Sequence, residues 1–285
     1  MISKEQFQKE IDLIIKNAIR EDVGEGDHSS LACIPENAKG KAKLLVKDTG
    51  IIAGVDFARQ VFSCVDPELQ MDIRIDDGAK VNYGDIVFYI EGSSRSILKG
   101  ERLVLNAMQR MSAIATKTRI FADLLKGTQT RILDTRKTTP GIRALEKWAV
   151  KLGGGENHRF ALYDMIMLKD NHIDFAGGIS QAIQKTRRYL EEKQKDLQII
   201  VEARNLNEVQ EILAEEGVHR ILLDNFSYED TSKAVKMIGG RCQTESSGGI
   251  NENTITHYAA CGVDYISSGA LTHSVYNKDL SLKAV

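Results

Sequence analysis

The sequence predicts an α/β protein in two parts, an N-terminal α+β unit with an antiparallel sheet and a C-terminal βα barrel. Short β-type runs, separated by Gly and Asp clusters, crowd residues 41–98. Through the second half, apolar runs recur with helical stretches between most of them, the last four about 22 residues apart, which is the rhythm of strand–helix repetition around a parallel sheet. Each of those later runs ends in a polar or charged residue. A closed or nearly closed barrel accommodates them, with an open doubly wound sheet as the alternative.

Phe7, Ile11, Ile14, Ile15, Ala18 and Ile19 stand at helical spacing and predict an amphipathic helix over 4–20. The polar stretch EDVGEGDHSS (21–30) reads as a loop, its GDHSS portion as a structural turn. KAKLLVKD (41–48), GIIAG (50–54), MDIRID (71–76) and DIVFYIEG (85–92) read as strands, with one helix over 56–64 among them. A long helix follows over 99–125, burying Leu103, Ala107, Met111, Ile114, Phe121 and Leu125. The later strands are RILDT (131–135), MIMLKD (165–170), IIVEA (199–203), RILLDN (220–225), CQTESSGG (242–249) and DYISSGA (264–270), with helices over 179–190, 206–215, 228–237 and 254–260. Arg143 and Lys147, on the helix after Pro140, read as solvated charges.

Lys+Arg (38) and Asp+Glu (40) nearly balance, leaving a net charge of −2. That argues against general nucleic-acid binding, which wants a basic excess, while leaving room for a local cationic pocket. No apolar run reaches the roughly 18 residues of a membrane span, and the first twenty residues mix charges throughout, unlike a signal peptide. Cys33, Cys64, Cys242 and Cys261 lie far apart with no CxxC pair, so neither a disulfide framework nor a thiolate zinc site is expected, and a cytoplasmic location is.

In a βα barrel the carboxyl ends of the strands share one rim, where active sites are built. Here that rim collects Asp134, Arg136, Lys137, Lys169, Glu202, Asp224, Glu245, Ser247, Ser267 and Ser268. The loop LGGGENHR (152–159) adds His158 and Arg159, donors suited to carboxylates or phosphates. Ser247-Gly248-Gly249 and Ser268-Gly269-Ala270 are small-residue turns of the kind that bind phosphate ahead of a helix start. The set suggests a multiply anionic substrate, with Mg²⁺ between substrate oxygens and Glu202 or Asp224.

DTRKTTPG (134–141), GGGENHR (153–159), LKDNH (168–172), VEARN (201–205), LLDN (222–225), SSGGI (246–250) and SSGAL (267–271) resemble the motifs of the quinolinate phosphoribosyltransferases (nicotinate-nucleotide pyrophosphorylase, carboxylating). GDHSS (26–30) and ERLVLNAMQRMSAIAT (101–116) extend the resemblance over essentially the whole chain. It implies an open α+β sandwich over 1–115, an incomplete barrel over 116–270 with fewer than eight regular strands, and a tail (271–285) returning to the first domain. It implies transfer of phosphoribosyl from 5-phosphoribosyl-1-pyrophosphate to quinolinate with decarboxylation, a step of NAD biosynthesis. It also implies a homodimer or larger assembly in which Arg102 reaches the neighbouring subunit's site. On this pattern Arg102, Arg136, His158, Arg159 and Lys169 hold the pyridine dicarboxylate, with Thr135 alongside. Lys137 sits between carboxylate and pyrophosphate. Glu202 and Asp224 serve the ribose, the developing positive charge and Mg²⁺. Ser247, Gly248, Gly249, Ser268, Gly269 and Ala270, with His273, take the 5-phosphate. The rivals are a paralogue of the family with another substrate and a phosphometabolite-binding barrel without turnover; retention of both carboxylates beside the cations speaks against the latter.

Overall fold

The computed structural model describes residues 2–285. The first elements are α1 (Lys4–Val23), α2 (His28–Cys33), β1 (Lys39–Val46), β2 (Gly50–Ile51), α3 (Val55–Val65), β3 (Gln70–Ile73), β4 (Lys80–Val81), β5 (Ile86–Ser93) and α4 (Ser94–Leu124). Then come β6 (Arg131–Leu133), α5 (Arg143–Leu152), β7 (Ile166–Leu168), α6 (Asp170–Ala176), α7 (Ile179–Glu192), β8 (Ile199–Ala203), α8 (Leu206–Leu213), β9 (Arg220–Asp224) and α9 (Tyr228–Ile238). The chain finishes with β10 (Gln243–Ser247), α10 (Ile255–Ala260), β11 (Tyr265–Ser267), α11 (Ala270–His273) and β12 (Leu280–Ala284). Two compact units result, one of residues 3–119, 138–154 and 271–285, the other including 120–137 and 155–270. No helix among the described residues is long and apolar enough to cross a membrane.

The first unit contains an antiparallel sheet in the order β12-β1-β5-β3. Alternation along β1 turns Ala42, Leu44 and Val46 inward. Helices α3 and α4 bury Phe57, Phe62, Met108 and Met111 almost completely, and Phe62 meets Phe88 of β5 edge-on at 6.3 Å. The C-terminal tail forms β12, which pairs with β1 from Ala42↔Ala284 to Val46↔Leu280. The sequence reads 21–30 as a loop, but α1 runs on to Val23 and α2 opens at His28. Asp27 caps α2 by accepting the Ser30 N–H at 3.1 Å and the Ser30 hydroxyl, so GDHSS is a structural element.

Helix α5 departs from the sequence reading in its charges, and its segment falls in the first compact unit. Arg143 is half-buried and donates Nε to Thr138 Oγ1 at 2.9 Å, whereas Lys147 is buried rather than solvated, as is Glu146 beside it. The reason is a partner remote in sequence: Arg110 of α4 donates Nε and Nη2 to Glu146 at 3.0 and 2.9 Å, while Thr139 donates its N–H and hydroxyl to the same carboxylate. A buried charge is tolerated when paired and hydrogen-bonded in this way. Trp148 also packs edge-on against Phe7 of α1, at 5.8 Å.

The second unit holds six parallel strands in the order β6-β11-β10-β9-β8-β7, and Glu156 adds a parallel bridge at Leu133 of β6. This is the incomplete βα barrel, and the doubly wound alternative falls. All five residues of β8 are buried, as are four of five in β9, as strands covered on both faces require; apart from Glu202 and Arg220 these buried residues are apolar. Met165, Ile200 and Leu222 form a core cluster with Met167 against it. The strands stop sooner than the apolar runs suggest, so Asp134, Lys169, Asn225, Gly248 and Ser268 lie just past strand ends, on the rim.

Candidate active site

The cationic side of the rim is assembled by Asp134. This buried carboxylate accepts from Asn157 Nδ2 at 2.6 Å and from the His158 N–H at 2.8 Å, clasping the Gly-rich segment alongside β6. Arg159 follows, buried, with Nη1 donating to the Met165 carbonyl at 3.2 Å. Burial, and then the positive charge of Arg136, push the Arg159 guanidinium below its ordinary pKa. The half-buried Arg136 thus raises the positive potential at the buried Arg159, a condition that an anion relieves. Thr135 Oγ1 accepts the Lys137 N–H at 3.0 Å, shaping the turn that leaves Lys137 exposed.

The carboxylate side lies on β8 and β9. Glu202 is 8% exposed, and Lys169 Nζ stands 3.4 Å from its Oε2. Burial raises the Glu202 pKa; Lys169 opposes that rise, and the negative charge of Asp224 adds to it. A second cation near these two carboxylates is therefore electrostatically welcome. Among the described residues no three His, Cys, Asp or Glu side chains are grouped to hold a metal by themselves.

The two small-residue turns differ from expectation in detail. Gly248 and Gly249 adopt φ of 99° and 60°, which favours glycine, but α10 opens only at Ile255, so this turn is not a helix start. Ser268 is buried; its N–H donates to the Leu133 carbonyl at 3.1 Å and its hydroxyl to the Ile250 carbonyl at 3.0 Å. Its donors therefore fasten the second turn to β6 and to the end of the first turn, leaving its oxygen as an acceptor. Gly269 and Ala270 lead straight into α11.

His158 also departs from its expected role as a substrate contact. Its ring is buried, Nδ1 accepts the Arg159 N–H at 2.7 Å, and Nε2 faces Glu245 Oε2 at 3.3 Å. Both ring nitrogens are therefore turned to protein groups, Nδ1 to the Arg159 N–H and Nε2 to the Glu245 carboxylate inside the barrel. Glu245 is fully buried and also receives Arg220 Nη1 at 2.8 Å; the Arg220 guanidinium lies 4.0 Å from the Tyr265 ring centroid. Burial alone would raise the Glu245 carboxyl, but His158, Arg220 and Ser267 together outweigh it and hold its pKa at about 2. Sequence reading passed over Arg220 and gave Glu245 no role, although an arginine opening one strand and a glutamate central to its neighbour are a recognisable signal. Arg102, exposed on α4, and His273, whose Nδ1 lies 2.7 Å from Ser274 Oγ at the end of α11, belong to the first unit.

Two family models match the chain: quinolinate phosphoribosyl transferase, N-terminal domain, over residues 27–112, and the C-terminal domain of the same family over 114–283. A tobacco quinolinate phosphoribosyltransferase [decarboxylating] 1b is 44% identical, aligned over 95% of this chain and 81% of its own length. A probable nicotinate-nucleotide pyrophosphorylase [carboxylating] of Bacillus subtilis is 39% identical over 94% of this chain and 91% of its own. The crystal structure of NadC from Streptococcus pyogenes superposes with a TM-score of 0.90 at 39% identity, covering 100% of this chain and 99% of that one. With its rim geometry and both domain models in agreement, the chain belongs to the quinolinate phosphoribosyltransferase family.

Proposed function

We propose that this protein transfers the phosphoribosyl group of 5-phosphoribosyl-1-pyrophosphate to quinolinate, releasing pyrophosphate and carbon dioxide and leaving nicotinate mononucleotide, within NAD biosynthesis. The observation that carries this reading is the positive potential of Arg136 acting on a buried Arg159, on the same barrel unit as the under-compensated carboxylate of Glu202 with Asp224 near it. The guanidiniums suit the two carboxylates of the pyridine, gripped bidentately, with Lys169 assisting. As the bond to pyrophosphate breaks, positive charge grows at the anomeric carbon, and Glu202 and Asp224 stabilise it. The ring-nitrogen lone pair forms the new bond, making a pyridinium. That ring accepts the electron pair released when the neighbouring C–CO₂ bond breaks, and a proton then replaces the lost carboxylate. The protein's part is orientation and exclusion of water.

Glu202 and Asp224 fit Mg²⁺ as hard oxygen donors, two carboxylates being what such an ion takes from protein when substrate oxygens and water fill its other positions. When bound, it would neutralise charge on the departing pyrophosphate. Lys137 serves the pyrophosphate, and the Ser247–Gly249 and Gly269–Ala270 turns serve the 5-phosphate. In a homodimer, Arg102 reaches the site of the partner subunit. The reading makes the enzyme cytoplasmic, which its four free cysteines favour.

Incubation with carboxyl-labelled quinolinate, the sugar donor and Mg²⁺ tests the reaction: mononucleotide and labelled carbon dioxide should appear one to one, and absence of either sinks it. Arg159→Ala should raise the quinolinate KM about 10–100-fold, the loss of a strong charge-assisted contact. Arg102→Ala should be inactive alone yet regain activity when mixed with a Glu202→Ala subunit, if sites are shared.

A further inference from the structure

Asn225 follows Asp224 at the end of β9 with a left-handed backbone, φ 55°. Asparagine tolerates that region better than most residues, but its use directly after a rim carboxylate calls for a reason. The side chain supplies one. Its Nδ2 donates to Asp224 Oδ2 at 2.7 Å. Its own N–H donates to the Ser247 carbonyl at 2.9 Å, extending the register that already sets Asp224 opposite Ser247. Its Oδ1 occupies the space beside Gly248, where an added Cβ would run into it and come 3.0 Å from the Asn225 backbone nitrogen. One residue therefore touches the rim carboxylate of β9 and the first two residues of the turn after β10.

We infer that Asn225 is a positioning residue for the sugar-donor half of the site, locking Asp224 and the Ser247–Gly248 turn into one arrangement; this rests on the donor-binding role proposed for those groups. The chemistry suits the task. The amide commits one carboxylate oxygen of Asp224 and leaves the other to the ligand. Being uncharged, it steadies the carboxylate without cancelling its charge, as a lysine would. The left-handed backbone lets the same short side chain reach both Asp224 and Gly248.

Two variants of the full-length protein test the inference. Asn225→Gly keeps the backbone conformation and removes the amide. Asn225→Asp keeps shape and φ tolerance but replaces the donor with a charge that repels Asp224. Calorimetric titration with 5-phosphoribosyl-1-pyrophosphate, steady-state kinetics and thermal melting are the readouts. Both variants should lose donor affinity or kcat at least tenfold, Asn225→Asp the more, while the quinolinate KM stays within twofold. Equal losses for both substrates in the variant that melts like wild type would mark a merely structural role and overturn the inference. So would an Asn225→Gly protein with wild-type donor affinity and kcat. A wild-type protein that neither turns over nor binds the donor defeats the functional reading first, and this inference with it.

Discussion

Glu202 and Glu245 lie on β8 and β10 of one parallel sheet, nearly sealed from water at 8% and 0% exposure, yet their carboxyls are pushed in opposite directions. Glu245 has Arg220 at 2.8 Å and the His158 ring at 3.3 Å, and with Ser267 these contacts outweigh the cost of burial. Glu202 has one lysine at 3.4 Å and the negative Asp224 close by, and burial wins. The first carboxylate has its charge met by protein groups through Oε2, although its buried Oε1 lacks a hydrogen-bond partner, and it holds the barrel interior. The second is left short of positive charge, a condition that ligand, metal or reacting centre can relieve. Perturbed carboxyls mark function when the protein leaves the perturbation uncompensated.

The contrast breaks most sharply with Glu202→Ala. Turnover should fall about 10²–10³-fold, the usual cost of losing a group aimed at developing charge, while the quinolinate KM hardly changes. Its melting temperature should be no lower than wild type, because the residue removed was a poorly compensated buried charge. Steady-state kinetics and a melt on one preparation decide it; a large drop in stability would place Glu202 with Glu245 as structural.

Glu245→Gln should do the reverse, costing about 3–5 kcal/mol of stability by leaving Arg220 and His158 facing an uncharged group. The wild-type pH profile sharpens this. A carboxyl lowered in the folded state contributes stability above its unfolded pKa, and that contribution drains away as pH falls through the folded value. The loss should therefore run from the ordinary glutamate value near 4.5 down toward 2, and urea titrations of Glu245→Gln should lack that component. The smallest effect belongs outside the barrel: Asp27→Ala should lower stability by about 1 kcal/mol through the lost cap of α2, with kinetic constants unchanged.

Much of this was readable from the chain. Strands RILLDN and IIVEA announce both their burial and their rim residues, since an apolar run ending in a carboxylate can only be a covered strand reaching its loop. Arg136, Arg159, Lys169, Glu202 and Asp224 come from that logic, and the structure gathers them onto the second unit. What escaped depends on partners far along the chain. His158 turns inward toward Glu245, and Lys147 lies on a buried helix face because Glu146 beside it is met by Arg110. Spacing along one helix or loop carries no trace of such a counterion. Asn225 escaped for another reason: its role lies in a backbone angle, which composition does not encode.

The pairing of β12 with β1 has a bearing on how the chain withstands damage. An outermost strand with bare amides and carbonyls is a template for recruiting other chains. Here β12 covers the backbone of β1, from Leu280 against Val46 to Ala284 against Ala42, and takes the outer position itself as a strand of five residues. Loss of 280–284 would leave every catalytic group of the barrel intact and still bare the eight-residue β1, so insolubility would come before inactivity.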